Sequence, residues 1–472
     1  MRLRIIGWAE SVATSALLPS TEQLLVADGD ARIALDPISG VNRYGCGLNP
    51  DPAIAAFGSS TASVISLASL AAAERLRNRL AEAPDTLIQE WQRLRNEIIT
   101  LYGLKKQPSV HLEFAASGTD LHALIAARIV AQNGQKLLVI SVEASETGRG
   151  VQAALSRVTN VDVVEVPLRD LSGKAKTNVQ IDAEMLAYVI ATQAKKLPAL
   201  LVAVDQSKTG LIAPSTAALL DMRQNFPQLQ VLVDACQFRL SSKTLCAYLQ
   251  QGCFVALTGS KFMGGPAFSA VLCTPAATPL LALNIEATPP LGLLLRWEAA
   301  LETMRTFHQL PSTAVRNFLQ AFCAAVQQRL RTDPAFEALP TPKLDRQPLV
   351  PSGSWDEIPT IFPFLLYHTA TNLRQPLHRD ETQAVHKALL RDDVTVDIPA
   401  DIAMLRCQLG QPVACGILDG VPISALRLCL SAELVVEAIS GSAQCDQIVI
   451  ARALRTLDKA AWLTKIQPGR MK

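Results

Sequence analysis

Between Pro108 and Pro275, short apolar runs alternate with amphipathic helical stretches, and this alternation most narrows the folds open to the chain. Segments 136–144 (KLLVISVEA), 199–207 (ALLVAVDQS), 229–237 (LQVLVDACQ), 254–261 (FVALTGSK) and 269–274 (SAVLCT) are short and almost continuously apolar. They read as strands buried on both faces. The stretches 120–134, 182–196 and 215–226 carry helical periodicity, and Gly134 stands where a helix closes on a left-handed residue. Strands and helices in this order predict an α/β fold, a mostly parallel sheet covered by helices on both sides.

The flanks read differently. Residues 1–100 hold a loop-rich arm followed by a long helical pattern over 71–103, and 339–359 is rich in proline and polar residues, as in a linker or an edge. Beyond it, 360–369, 394–400, 402–410 and 425–432, with a helix from about Glu433, suggest a smaller α+β domain. A chain of 472 residues exceeds one ordinary core. The expected division is an arm and helical segment (1–100), a large α/β domain (101–338) and a small domain (339–472). A net charge of +2 gives no electrostatic case for nucleic acid or an acidic membrane, and no run reaches transmembrane length. The ten cysteines form no CxxC pair and several lie in apolar runs, which points to a reduced, cytoplasmic protein.

In open parallel sheets, ligands gather at the carboxyl ends of the strands. Several polar groups stand at such ends. Ser117, Gly118 and Thr119 begin a helix, where backbone N–H groups and the helix dipole favour a phosphate; an ordinary N-cap reads the same way. Asp234 closes the run LQVLVD, and burying a carboxylate there demands a partner. It either caps the next turn or meets a cationic ring nitrogen, with Gln237 three residues on. Lys261 follows the strand FVALT and precedes Gly264 and Gly265, which would let backbone pass close to a bulky ligand. An amine at the mouth of an apolar sheet loses hydration, its pKa falls, and it becomes a nucleophile for Schiff-base chemistry. Lys208 and Lys243 read as surface lysines. A phosphate clamp, a partner for a pyridinium and an imine-forming lysine, in this order, are what pyridoxal 5′-phosphate needs.

Over roughly 110–440 the chain resembles the fold-type I pyridoxal-phosphate enzymes, in particular the class V aminotransferase and cysteine desulfurase superfamily. SGTDLHALIAAR is similar to that group's phosphate-binding helix start, DQSKTGLIAP to its N-E-x-G-x-I-x-P turn and VDACQ to DAAQ. TGSKFMGGPAFSAVL resembles its lysine segment, and ALRLCLSAELVVEAI its C-terminal arginine segment. The resemblance implies a seven-stranded, mostly parallel sheet and a small domain built from both chain ends. It implies that Lys261 carries the cofactor as a Schiff base, Asp234 pairs with the ring nitrogen and Gln237 hydrogen-bonds the phenolic oxygen. Gly118 and Thr119 would bind the phosphate, with Ser260 where the group often has a phosphate-binding His or Ser. Ser207 stands where the group has an asparagine, and Arg427 would hold the substrate carboxylate. Where a ring-stacking aromatic or His is usual, this chain has Glu143, Ala144 and Ser145, with His111 and His122 nearby in sequence and His122 read as packing. The resemblance also implies a homodimer. The segment 42–66 is unusual for the group: its Tyr44, Ser60, Thr61 and Ser63 either line the substrate pocket from an arm or belong to a surface arm that packs on the partner. The expected function is that of an aminotransferase or a carbon–sulfur lyase acting on a small amino acid. Two alternatives stand beside it: desulfurase-like sulfur transfer by Cys415, and a catalytically inactive binding or scaffold protein.

Overall fold

The computed structural model describes residues 18–465 apart from 30, 43–44, 48, 59–63, 107–109, 277–288, 370–373 and 393–398. The arm residues Tyr44, Ser60, Thr61 and Ser63 and most of the expected strand 394–400 lie outside the described residues. In chain order the strands are β1 (Ile54–Phe57), β2 (Val110–Ala115), β3 (Leu137–Val142), β4 (Val161–Val166), β5 (Ala199–Asp205), β6 (Ile212–Ala213) and β7 (Gln230–Asp234). They continue as β8 (Phe254–Thr258), β9 (Ala270–Pro275), β10 (Phe336–Ala338), β11 (Ile361–Leu366), β12 (Arg406–Leu418) and β13 (Val421–Cys429).

The larger sheet runs β2-β9-β8-β7-β5-β3-β4, and the two-residue β6 pairs with β5 alone. Neighbours from β8 to β4 are parallel, and β9 runs antiparallel to both β8 and β2. The mostly parallel, seven-stranded sheet expected from the sequence is thus present. Strands β5, β8 and β9 are buried at every position, because helices cover both faces. Leu121, Ile125 and Ile129 of the helix Gly118–Asn133 meet Leu200, Val202 and Leu232 on one face. Leu201, Val231, Val233 and Leu257 point the other way, into the core shared with Trp297 and Leu301 of the helix Leu291–Gln309. Gly134 closes the first of these helices at φ 64°.

The helical pattern over 71–103 divides into two helices, Leu67–Glu82 and Leu87–Leu101, joined by a 3₁₀ turn that begins at Pro84. Proline lacks the N–H a continuous helix needs there and clashes with the preceding turn. The strands β2 and β4 were not legible from the sequence: VHLEFA and VDVVEV mix charges into partly exposed edge positions.

A second sheet runs β1-β12-β13-β11-β10, with β1 parallel to β12 and the other pairs antiparallel. It therefore joins the N-terminal segment to the C-terminal one. The proline-rich stretch 339–359 is a packed seam rather than a solvated linker. Its Arg346 is fully buried and donates to both carboxylate oxygens of Asp205 at 2.8 and 2.5 Å. Asp356, also buried, accepts from the Ser241 amide and the Thr244 hydroxyl. Among the described residues, no helix is long and apolar enough to cross a membrane.

Candidate active site

Strand β7 delivers Asp234 to the carboxyl edge of the sheet, where its Oδ1 accepts from the Cys236 amide at 3.0 Å. Its Oδ2 stands 3.4 Å from Nε2 of His122, a residue only 1% exposed. His122 sits one turn into the helix Gly118–Asn133, and its Nδ1–H donates to the Gly118 carbonyl at 2.7 Å. Burial disfavours the charge on either partner. For Asp234, the attraction of His122, with Lys261 adding to it, outweighs that cost and holds the carboxyl well below the usual range. For His122, Asp234 outweighs burial and raises the imidazole pKa, against a smaller opposing push from Lys261. The pair is a buried ion pair whose surroundings include the Lys261 ammonium. His122 was read as packing; a buried strand-end carboxylate that needs a cation, with a histidine four residues past Gly118, is the signal that could have assigned it.

The helix start lies against the end of β7. A Cβ on Gly118 would come within 2.6 Å of Cys236 Sγ, so only glycine lets the helix N-terminus approach Asp234 this closely. Ser117 caps the helix, and the Asp120 carboxylate accepts from the Ser117 amide and hydroxyl. Thr119, in the first turn, turns its hydroxyl toward Gly150.

Lys261 follows β8 in a loop that folds onto itself: Gly259 N donates to Ser269 O, Gly265 N to Gly259 O, and Phe262 N to Gln237 O. Phe262 is fully buried, stacked on Trp355 at 5.5 Å and edge-on to Phe307. This anchor leaves its neighbour Lys261 partly exposed. The glycine pair after the lysine serves protein packing rather than ligand approach. Gly264, at φ 70°, lies where a Cβ would meet the Glu433 carboxyl at 2.7 Å, and a Cβ on Gly265 would meet Ala300 Cβ at 2.5 Å. Ser260 is buried in the same loop. Gln237 is 4% exposed, and its Oε1 has no hydrogen-bond partner among the described residues.

Ser207 and Arg427 gather at the next strand end. The Ser207 hydroxyl donates to Glu146 Oε2 at 2.7 Å, and the same carboxylate takes Thr209 and Arg169. Ser207 is thus committed to closing its own turn. Lys208 is not a plain surface lysine: its ammonium donates to the carbonyls of Ala144 and Ser145 at 3.3 and 3.0 Å, in the turn where a ring was expected. Lys243 is exposed, as read. Arg427, 2% exposed on β13, donates to the carbonyls of Gln411 and Lys208, and no carboxylate among the described residues ion-pairs with it. Burial lowers its pKa. His111 lies apart on β2, among the charges of Glu113, Arg95 and Arg128. Cys415 is buried with Leu365, Tyr367 and Ile423; its thiol donates to the Val413 carbonyl at 3.1 Å, and burial pushes its pKa up to about 11.

No family model matches the chain, and no curated protein matches it in sequence. Solved structures do. The glutamate decarboxylase domain of the diaminobutyrate-pyruvate transaminase and L-2,4-diaminobutyrate decarboxylase from Vibrio parahaemolyticus matches over 87% of this chain and 80% of that one, at TM-score 0.54 and 16% identity. The cysteine desulfurase CsdA of Escherichia coli matches over 86% and 95%, at TM-score 0.52 and 14% identity. The TDC of Oryza sativa, solved with PLP, matches over 86% and 84%, at TM-score 0.50 and 13% identity. The fold is that of the fold-type I pyridoxal-phosphate enzymes. In that fold, the residues present suit the cofactor. A buried carboxylate held anionic closes one strand, Gln237 brings a buried oxygen unsatisfied among the described residues, a glycine-started helix offers its N-terminus, and an amine stands at the next strand end.

Proposed function

We propose that the protein is a pyridoxal-phosphate enzyme acting on a small amino acid, with Lys261 as the residue that carries the cofactor. The observation that carries the reading is the buried Asp234–His122 ion pair beside Lys261. A carboxylate that His122 keeps anionic at a strand end would hold a proton on a pyridine nitrogen. Pyridoxal phosphate, when bound, supplies an electron sink for negative charge developing at the substrate α carbon. Gly118 and Thr119 bind the phosphate, Gln237 meets the phenolic oxygen, and Arg427 takes the substrate carboxylate. The Lys261 amine moves the proton at the α carbon.

An aminotransferase or carbon–sulfur lyase reaction suits this site equally well. The solved neighbours include decarboxylases and a desulfurase, so product assays cover keto acid, pyruvate, sulfide and carbon dioxide together. Sulfur transfer by Cys415 is disfavoured, because a thiol in an apolar cluster with a raised pKa stays protonated and out of a substrate's reach.

The test is chemical trapping. Purified protein incubated with pyridoxal phosphate is expected to turn yellow, and borohydride reduction followed by peptide mapping places the label on Lys261. Lys261→Ala removes the label and abolishes turnover while some cofactor still binds. A label on another amine, or none, overturns the assignment. A colourless protein that takes up no cofactor favours the scaffold reading.

A further inference from the structure

We infer that Arg32, on the N-terminal arm, is the cationic partner of the cofactor phosphate. This rests on the reading above and adds a residue that no motif in the sequence pointed to.

The arm is fastened to the loop that follows Lys261. Arg296, fully buried, donates from Nη1 to the carbonyls of Leu25 and Ala27 at 3.2 and 2.6 Å, and from Nε to the carbonyl of Phe268 at 2.9 Å. Asp28 accepts from the Gly292 amide, and Ile33 packs with Ala267 and Phe268. So anchored, the arm lays the Arg32 guanidinium over the Phe268 ring, 4.8 Å from its centroid. From there Arg32 reaches the start of the helix Gly118–Asn133. A Cβ built on Gly150 would lie 3.1 Å from Thr119 Oγ1 and 3.4 Å from Arg32 Nη1, so the hydroxyl and the guanidinium both pack close against this glycine.

The charges at this spot call for a full cation. The helix N-terminus offers a partial positive charge, but Asp120 already places a carboxylate in its first turn. A phosphate dianion bound to the helix start alone would meet that carboxylate. Arg32 reverses the balance and supplies a planar fork of donors suited to phosphate oxygens. The cradle also shares a wall with the ring side of the site. Gly118 lies against Cys236, and beyond it Gln237 Oε1 is a buried oxygen without a hydrogen-bond partner among the described residues.

The experiment compares two ligands that differ only in the phosphate. Full-length apoprotein is titrated with pyridoxal phosphate and with pyridoxal, following absorbance and tryptophan fluorescence, for wild type, Arg32→Gln and Arg32→Lys. The Gln variant is expected to bind pyridoxal phosphate about 10- to 100-fold more weakly, the loss of one charge-assisted contact, and pyridoxal unchanged within about twofold. Arg32→Lys should fall between, and wild type should lose pyridoxal phosphate affinity with added salt more steeply than the Gln variant. Equal pyridoxal phosphate affinity in wild type and Arg32→Gln, or equal losses for both ligands, overturns the inference and leaves the cofactor reading intact. If Arg32→Gln does not fold, Arg32→Lys decides alone by the same comparison. A wild-type protein that takes up neither ligand ends the cofactor reading and this inference with it.

Discussion

Asp234 and His122 face each other at 3.4 Å with almost no access to water, so each titrates against the other. His122 has a raised pKa in the folded protein, so its contribution to stability is complete below the unfolded value of about 6.5 and fades as pH climbs through the higher folded value. Asp234 has a depressed pKa; its contribution is present above about 3.9 and is lost as pH falls through the lower folded value. Apoprotein melting temperature should therefore decline on the alkaline side of neutrality, and His122→Asn should flatten that decline. Parallel melting curves for wild type and variant across pH 6–9 would show that the pair does not titrate as argued. At this scale the sequence was legible wherever a residue type dictated its own environment. A carboxylate closing an apolar strand announced itself, as did the lysine after another. Arg427 was singled out only by resemblance, and the role proposed for Arg32 had no signal at all, because an arginine in a polar arm carries no local signature.

The elements that position the site do so through close contacts as much as through hydrogen bonds. The lysine loop is held between β8 and the helix Leu291–Gln309, with Gly265 against Ala300. Gly265→Ala should cost about 1–3 kcal/mol, the usual result of adding a methyl group to a packed core, and Ala300→Gly in the same chain should restore little of it, because the Ala300 Cα and the Gly259 carbonyl would still stand 2.9 Å from the added methyl. Urea denaturation measures both, and an undiminished single variant would mean that the loop yields more easily than its contacts suggest. The pair GG in the sequence signalled a close approach but did not say what approached. What approached stood far along the chain, Ala300 for Gly265 and Glu433 for Gly264, beyond the reach of any local pattern. Distance in sequence also hid β2, whose partner β9 makes a strand of a segment that mixes charge with hydrophobe.

At the scale of the whole molecule, one buried charge pair joins the seam 339–359 to the large sheet. Arg346 spans both oxygens of Asp205 at the end of β5, Tyr248 donates to the same carboxylate at 2.9 Å, and Arg346 also donates to the Asp356 carbonyl at 2.6 Å. Removing one partner leaves the other charge buried and unpaired. Arg346→Met is expected to destabilise the protein by about 3–5 kcal/mol, read as a lower urea midpoint; a loss below about 1 kcal/mol would show that water or a rearranged side chain rescues Asp205. The second sheet adds a further tie, since β1 from the first hundred residues pairs with β12 near the other end.

Local chemistry alone dictated the buried parallel strands, the helices between them, the cap at Gly134, and the acid and the amine at the strand ends. Each follows from hydrophobic periodicity or from the cost of burying charge, and both are properties of short stretches of chain. Tertiary structure decided which distant groups meet: His122 with Asp234, Arg346 with Asp205 and Arg296 with the arm. Those pairings depend on how helices and sheets stack in space, and a linear pattern carries no record of partners tens or hundreds of residues apart.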